Sequence, residues 1–349
     1  IVETEEFNYY SYEYAYNGGG VGLGDINNDG LTDIYFTGNQ VSDKLYLNKG
    51  DMQFEDITET AIPSGADEGW HTGVVMADVN ADGFLDIYVC RAGLTSDPGL
   101  LKNLLYINNQ DNTFSEQGAQ YGLDIARHST HSSFFDYDND GDLDVYVMNH
   151  PYDEDERDYS SDQMRMKMRF GPEADVLLEN QEGIFVNVNE KSGISSNTYG
   201  LGLATSDLNN DGWTDIYVGS DFQDPDFLYI NQKDGTFKNQ LNQRTNHVST
   251  YSMGNDAVDI NNDGELDIIT LDMANEDHTK SKRNMGAMST SVFMDIVKVG
   301  FHYQYMFNCL QLNNGEGTFS DIGQMAGISK TDWSWAPLVA DFDNDGFKD

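Results

Sequence analysis

A chain of 349 residues with 38% hydrophobic content is long enough to bury a core, as one large repeat domain or two ordinary ones. Its 60 acidic against 19 basic residues give a formal charge of −41, which argues against nucleic acid or an anionic membrane surface as partner. No stretch of about 18 consecutive apolar residues offers a membrane span, and no basic segment followed by an apolar run stands at the N-terminus.

Phe7 to Tyr14 is the first strand candidate, followed by Gly18-Gly19-Gly20-Val21-Gly22 and then by the loop Asp25 to Asp33, DINNDGLTD. The loop pattern returns at Asp78 to Asp86 (DVNADGFLD), Asp136 to Asp144 (DYDNDGDLD), Asp207 to Asp215 (DLNNDGWTD), Asp259 to Asp267 (DINNDGELD) and Asp341 to Asp349 (DFDNDGFKD). Successive loops start between 52 and 82 residues apart, which is too long for a tandem calcium solenoid. After the first four loops come the apolar runs IYFTG, IYVCR, VYVMN and IYVGS, and Ile268 to Leu271 is the fifth. A Leu-Tyr-Leu-Asn run follows at Leu45 to Asn48, echoed at Leu105 to Asn108, Leu228 to Asn231 and Leu310 to Asn313, more loosely at Leu177 to Asn180. A third run contains Phe54, Phe114, Phe185, Phe237 and Phe319. With the small-residue run before each loop, this makes four short strands per repeat, so the expected fold is all-β, a β-propeller of four-stranded blades.

The run before each loop is expected to be the innermost strand, where blades crowd. Five residues ahead of each first Asp stand Gly20, Gly73, His131, Gly202, Gly254 and Ala336; eight ahead stand Asn17, Trp70, His128, Tyr199, Tyr251 and Trp333. The second, mostly aromatic set serves either blade packing or a ligand-binding ring. The cysteines, Cys90 and Cys309, lie in different repeats on predicted strands, so no disulfide between them is expected.

Carboxylate or amide oxygens at loop positions one, three, five and nine, around a glycine that permits a sharp turn, suit Ca²⁺, which takes six to eight hard oxygen ligands. The candidate ligands are Asp25, Asn27, Asp29 and Asp33; Asp78, Asn80, Asp82 and Asp86; Asp136, Asp138, Asp140 and Asp144; Asp207, Asn209, Asp211 and Asp215; Asp259, Asn261, Asp263 and Asp267; and Asp341, Asp343, Asp345 and Asp349. The position-seven carbonyls of Leu31, Phe84, Asp142, Trp213, Glu265 and Phe347 would complete the shells. An EF-hand is rejected, because its position-twelve Glu is replaced by Phe36, Val89, Val147, Val218 and Thr270, and the flanks are strands. Two carboxylates ~5 Å apart repel by roughly 3 kcal/mol at an effective dielectric of 20, so a loop holding three or four needs a cation. The expected cofactor is Ca²⁺, up to six ions, at the weak affinity of extracellular modules.

Two insertions interrupt the repeats, 151–174 and 272–306. The first holds Met164 to Arg169, alternating with period two as a strand with a basic face; the second holds a short helix at Thr290 to Gly300. Arg157, Arg165, Lys167, Arg169, Lys280, Lys282, Arg283 and Lys298 concentrate there, for a partner or for self-docking onto the acidic scaffold. Five repeats, an inner strand at Trp333 to Ala340 and a sixth loop give a single, incomplete propeller over 1–349, a fragment of a protein expected to have seven blades.

These loops, the Leu-Tyr-Leu-Asn and Thr-Phe-Ser-Asp strands, the glycine run before the first loop and Asp332 to Pro337 before the last carry a resemblance to the FG-GAP/VCBS repeat family, whose calcium blades are also found in integrin α-subunit heads. The chain most resembles bacterial surface proteins in which a VCBS-type propeller precedes an ASPIC/UnbV module, relatives of cartilage acidic protein. It departs in lacking a literal Phe-Gly…Gly-Ala-Pro signature and the C-terminal module. The resemblance implies a secreted or cell-surface binding or adhesion scaffold. The expected function is a calcium-stabilised, non-catalytic interaction module outside the cytoplasm that meets a protein or glycan partner through one propeller face and its insertions. Motifs for metalloprotease, serine hydrolase or phosphate-cradling chemistry are absent from the sequence. The pair His128 and His131, beside a predicted inner strand, serves either polar packing or a metal or catalytic role. The alternatives are a lyase or glycosidase acting on polysaccharide, with the aromatic ring as sugar platform and channel-mouth carboxylates or His131 as acid/base groups, and a structural surface or matrix element.

Overall fold

The computed structural model describes residues 1–349 apart from 6, 65–67, 96, 152–172, 223, 284–289 and 299. Five four-stranded antiparallel sheets follow one another, each a meander in sequence order. The first is Val21–Gly24, Asp33–Phe36, Lys44–Asn48 and Phe54–Asp56; the second Trp70–Ala77, Asp86–Ala92, Leu104–Asn108 and Phe114–Glu116. Ser129–Phe135, Asp144–Asn149, Val176–Gln181 and Ile184–Asn187 make the third. The fourth is Gly200–Ser206, Asp215–Ser220, Phe227–Asn231 and Phe237–Asn239, and the fifth Asn255–Val258, Asp267–Thr270, Cys309–Asn313 and Phe319–Asp321. The fold is thus the all-β, propeller-like repeat that the four strand signals imply. Backbone contacts group the chain into two compact units, 1–134 with 141–189, and 135–140 with 190–349.

Apolar residues of adjacent sheets form the cores. Within the first unit Ile26, Tyr35, Leu45 and Leu47 pack against Val74, Ile87, Val89 and Tyr106. In the second, Leu208, Tyr217, Leu228 and Ile230 pack with Val248, Ile268 and Phe319. Three second strands are covered on both faces: Asp86–Ala92, Asp144–Asn149 and Asp215–Ser220 are buried throughout, and their sequences read as near-continuous apolar runs rather than alternating ones. Crowding at the first strands is direct: a Cβ on Gly20 would stand 2.7 Å from the Thr72 carbonyl oxygen, and one on Gly73 2.5 Å from that of Thr130. Likewise Gly202 abuts Asn255, and Gly254 abuts Trp335 and Ala336.

A second repeated device, not read from the sequence, closes the opposite end of each sheet. The residue just before the third strand is a buried Asp or Asn: Asp43, Asn103, Asp175, Asp226 and Asn308. It accepts a backbone N–H from the end of the second strand, at Gly38, Arg91, Asn149, Ser220 and Asp272. In the first four sheets it also meets the second-strand tyrosine hydroxyl, with Tyr35, Tyr146 and Tyr217 each 2.7 Å from the carboxylate and Asn103 Nδ2 donating to Tyr88 at 2.9 Å. Burial, opposed by the Ser220 N–H and the Tyr217 and Ser252 hydroxyls, pushes Asp226 up to about 7. A carboxyl raised above its unfolded value contributes stability that is complete below about pH 4 and lost as pH rises through about 7. Asp226→Asn should therefore flatten the fall in urea-unfolding stability between pH 5 and pH 8 and gain up to ~3 kcal/mol at pH 8, because the amide can repeat the Asn103 pattern. Parallel pH profiles for wild type and variant would refute this.

A short helical turn follows every fourth strand: Thr58–Ala61, Gly118–Tyr121, Asn189–Ser192, Leu241–Arg244 and Gly323–Ala326. Its first N–H groups are met by the strand's last side chains, as in Glu116 to Gly118 (2.8 Å), Asn239 to Leu241 (3.1 Å) and Asp321 to Gly323 (2.9 Å).

Two expectations meet a different outcome, and a third falls outside the described residues. Phe7 to Tyr14 is not a strand: its residues form turns leading into a 3-10 helix at Glu13–Tyr16, because the Asn8 and Thr4 side chains bond locally to the backbone and divert it from a ladder. Of Trp333 to Ala340, only Asp332–Trp333 is strand, paired with Met273–Ala274; 334–340 has no ladder partner among the described residues. The Met164 to Arg169 strand and four of the insertion basic residues, Arg157, Arg165, Lys167 and Arg169, lie outside the described residues. The helix of the second insertion is present as Thr290–Lys298, after His278–Arg283, and Phe293 stacks on Tyr305 at 5.5 Å. Lys280 pairs with Asp332 and Lys298 with Asp295. Cys90 and Cys309 are both buried free thiols.

Candidate metal centres

The six acidic loops share one backbone. Position four is left-handed in all of them, with φ 57–59° at Asn28, Ala81, Asn139, Asn210, Asn262 and Asn344, and the position-six glycines follow at φ 83–99°. Asparagine tolerates this region and glycine is free in it, which is why five of the six loops spell Asn-Asp-Gly. Position one then accepts the N–H of position five, at 3.1 Å for Asp25, 3.0 Å for Asp78, 3.2 Å for Asp136, 2.9 Å for Asp207 and 3.0 Å for both Asp259 and Asp341. Its other oxygen takes the glycine N–H in the first, second, fourth, fifth and sixth loops. Position five, at Asp29, Asp82, Asp211, Asp263 and Asp345, receives the N–H of position seven.

Position nine joins loop to sheet. Asp33, Asp86, Asp215 and Asp267 are fully buried, and one oxygen of each accepts the position-two N–H, at Ile26, Val79, Leu208 and Ile260. The other accepts the N–H of the asparagine ending the third strand, at Asn48, Asn108, Asn231 and Asn313, as Asp144 does from Asn180. That asparagine also ties neighbouring repeats together. Asn108 donates to the carbonyls of Ile26 and Leu85, and Asn313 to those of Leu208 and Leu266. Asn231 does the same for Tyr137 and Thr214. Position-four asparagines form a further link, Asn28 to the Gly83 carbonyl (2.9 Å), Asn139 to Gly212 (3.3 Å) and Asn262 to Gly346 (2.8 Å). The second loop lacks it, having Ala81. Ala81→Asn should raise stability by ~0.5–1 kcal/mol, since asparagine relieves the left-handed strain; an unchanged or lower denaturation midpoint would contradict the idea.

The electrostatics of the loops call for a cation. Burial, with Asp82 and Asp78 adding, pushes Asp86 up to about 6; burial, with Asp211 and Asp207 adding, pushes Asp215 up to about 7. Asp33 and Asp267 are raised for the same reasons. In the sixth loop Asp341, Asp343 and Asp349 bring one carboxylate oxygen each within 4.8 Å of the others. In the fourth, Asn209 Oδ1, at position three, is buried with no hydrogen-bond partner. The position-three amides of Asn27, Asn80 and Asn261 turn onto position five instead, accepting its N–H and donating to its carboxylate. The boundary between the units falls within the third loop, where Asp136, Asp138 and Asp140 belong to one unit and Asp144 to the other. Oxygen-only donors, negative charge and an orphaned buried carbonyl fit a hard divalent ion such as Ca²⁺.

The other predicted groups are placed more plainly. Trp70 packs on Phe7 and Tyr12 at 5.0 and 5.7 Å, Tyr199 on Phe222 at 5.0 Å, and Trp333 is 43% exposed. His128 Nδ1 lies 3.3 Å from Glu173 Oε2, its ring 5.5 Å from that of His150. Burial lowers His131, and burial with His128 pushes His150 down to about 3, so both are neutral at physiological pH.

An FG-GAP-like repeat profile matches residues 25–89, 95–147, 207–270 and 293–349, more than half of the chain. The chain belongs to the FG-GAP-like repeat family. The matched segments of this FG-GAP-like chain contain all six acidic loops whole. No curated protein matches it. Among solved structures it is similar to the Photorhabdus luminescens Tc holotoxin pore, at 14% identity and a TM-score of 0.39, over 86% of this chain and 11% of that one. It is also similar to the V. cholerae biofilm matrix protein Bap1, at 12% identity and a TM-score of 0.39, over 86% of this chain and 38% of that one. The chain thus spans well under half the length of either. No helix among the described residues is long and apolar enough to cross a membrane.

Proposed function

We propose that this FG-GAP-like chain is a calcium-stapled, adhesion-type scaffold that works outside the cytoplasm, secreted or on the cell surface. The observation that carries the reading is the convergence of Asp341, Asp343 and Asp349 within 4.8 Å in a loop backbone that all six repeats share. Asp341, Asp343, Asp345 and Asp349, with their counterparts in the other loops, would hold one Ca²⁺ each, and the ion would supply charge neutralisation rather than reactivity. The loops organise the ends of the sheets, so calcium acts on the fold. Partner contact then falls to the exposed surface and the second insertion, where Lys282 and Arg283 are exposed. A protein or glycan partner and a non-catalytic role belong to this proposal, as does the finer likeness to VCBS-type surface proteins with an ASPIC/UnbV module.

Calorimetric titration of the calcium-depleted chain tests the reading. Up to six ions should bind with affinities on the order of 10⁻⁴ to 10⁻³ M, the range of extracellular modules. No calcium uptake in that range would overturn it.

A further inference from the structure

A cluster in the fifth sheet differs chemically from the acidic loops. Cys309 opens the third strand, Gln311 lies two residues on along the same face, and Asp321 is registered directly opposite Gln311. His247 comes from the connection before Val248–Ser249 and places Nε2 3.1 Å from Asp321 Oδ2. One donor atom each from His247, Cys309 and Asp321 lies within 4.8 Å of the others. The remaining Asp321 oxygen is held by the N–H groups of Leu310 and Gly323, which fixes the carboxylate with Oδ2 turned to His247. Gln311 donates Nε2 to the His247 carbonyl, while its Oε1 is buried without a partner.

The other repeats act as an internal control. The strand positions equivalent to Cys309 and Asp321 hold Lys44 and Asp56, an ion pair at 2.9 Å in the first sheet. Elsewhere they hold Leu104 and Glu116, Val176 and Asn187, and Phe227 and Asn239. At the Gln311 position stand Tyr46, Tyr106, Leu178 and Tyr229. Among the described residues, only the fifth sheet combines a thiol, a carboxylate and an unpaired amide carbonyl at these positions, and only there does an imidazole reach them. A buried carbonyl left unsatisfied among native contacts calls for a ligand.

We propose that His247, Cys309 and Asp321, with Gln311 Oε1 as a further donor, form a binding site for a transition-metal dication of the zinc class. One thiolate, one imidazole and one carboxylate make a mixed nitrogen, sulfur and oxygen set that favours Zn²⁺ over Ca²⁺, which prefers oxygen alone. Burial holds the Cys309 thiol well above its ordinary range, so it is protonated until the ion displaces the proton. His247 is 21% exposed at its side chain and provides the way in. The bound ion would pin the connection carrying His247 to the third and fourth strands of this sheet. The site is independent of the calcium reading.

Cobalt substitution tests it, in calcium-saturated buffer so that the acidic loops are filled. Wild type should take one Co²⁺ with a thiolate-to-cobalt charge-transfer band, and Cys90→Ser should keep that band. Cys309→Ser and His247→Gln should lose it. The zinc-loaded wild-type chain offers a readout without variants: X-ray absorption should show a single sulfur at about 2.3 Å with nitrogen or oxygen at about 2.0–2.1 Å. Absence of both signals in wild type, or a band that survives Cys309→Ser, overturns the proposal.

Discussion

Chelating calcium is expected to lower the melting temperature by roughly 10 °C. At a free calcium about ten times the dissociation constant, each site stabilises the folded state by ~1.4 kcal/mol. Two whole loops lie in one compact unit and three in the other, so the loss is ~3–4 kcal/mol, and a domain of this size shifts by roughly 2–4 °C per kcal/mol. The sign is set by the buried ninth-position carboxylates. Asp86 and Asp215, raised to about 6 and about 7, are ionised at pH 8 with Asp78, Asp82, Asp207 and Asp211 as their nearest charged neighbours. Without a cation, that charge opposes the fold. The calcium-dependent difference should therefore be larger at pH 8 than at pH 5, where protonation does part of the ion's work. Melts in chelator and in millimolar calcium, with magnesium as control, decide the matter; superimposable melts at pH 8 would remove the role assigned to the loops.

How much of this was legible in the sequence depends on how local the cause is. The loops were, because a left-handed position two before a glycine writes itself as Asn-Asp-Gly, and the Leu-Tyr-Leu-Asn run recurring between loops announces a strand. What each sheet does at its other end was not. Asp43, Asp175 and Asp226 look like ordinary turn residues until the fold brings Tyr35, Tyr146 and Tyr217 to them. Their repetition just before each third strand was the available signal. The asparagine of Leu-Tyr-Leu-Asn was visible as a pattern, but its bonds from Asn313 to the Leu208 carbonyl, 105 positions away, are tertiary. His247 and Cys309 carried no motif spacing at all, since residues 62 apart in sequence meet only through sheet register and a connection. Phe7 to Tyr14 misled because an aromatic run reads as strand, whereas the Asn8 side chain turns the chain.

Asp215→Ala should be the most damaging single substitution among the loops, and Asp215→Asn should show why. The carboxylate accepts from Leu208 N at 3.2 Å and from Asn231 N at 2.8 Å, both buried. Alanine strands both donors, at ~1–3 kcal/mol each, so a loss of about 4 kcal/mol or more is expected from urea unfolding in calcium. Asparagine keeps one acceptor and removes the buried charge. In chelator those two effects offset and the cost should be small. In calcium the same variant forfeits a charged ligand as well, so its cost should exceed the chelator value by ~1.4 kcal/mol or more, the linkage free energy of one site. Asn231 should respond in parallel, because the residue whose backbone N–H is held by Asp215 also donates its side-chain amide to the Tyr137 and Thr214 carbonyls. An Asp215→Asn cost that is equal in the two media would leave Asp215 a hydrogen-bonding hub and remove it from the calcium shell.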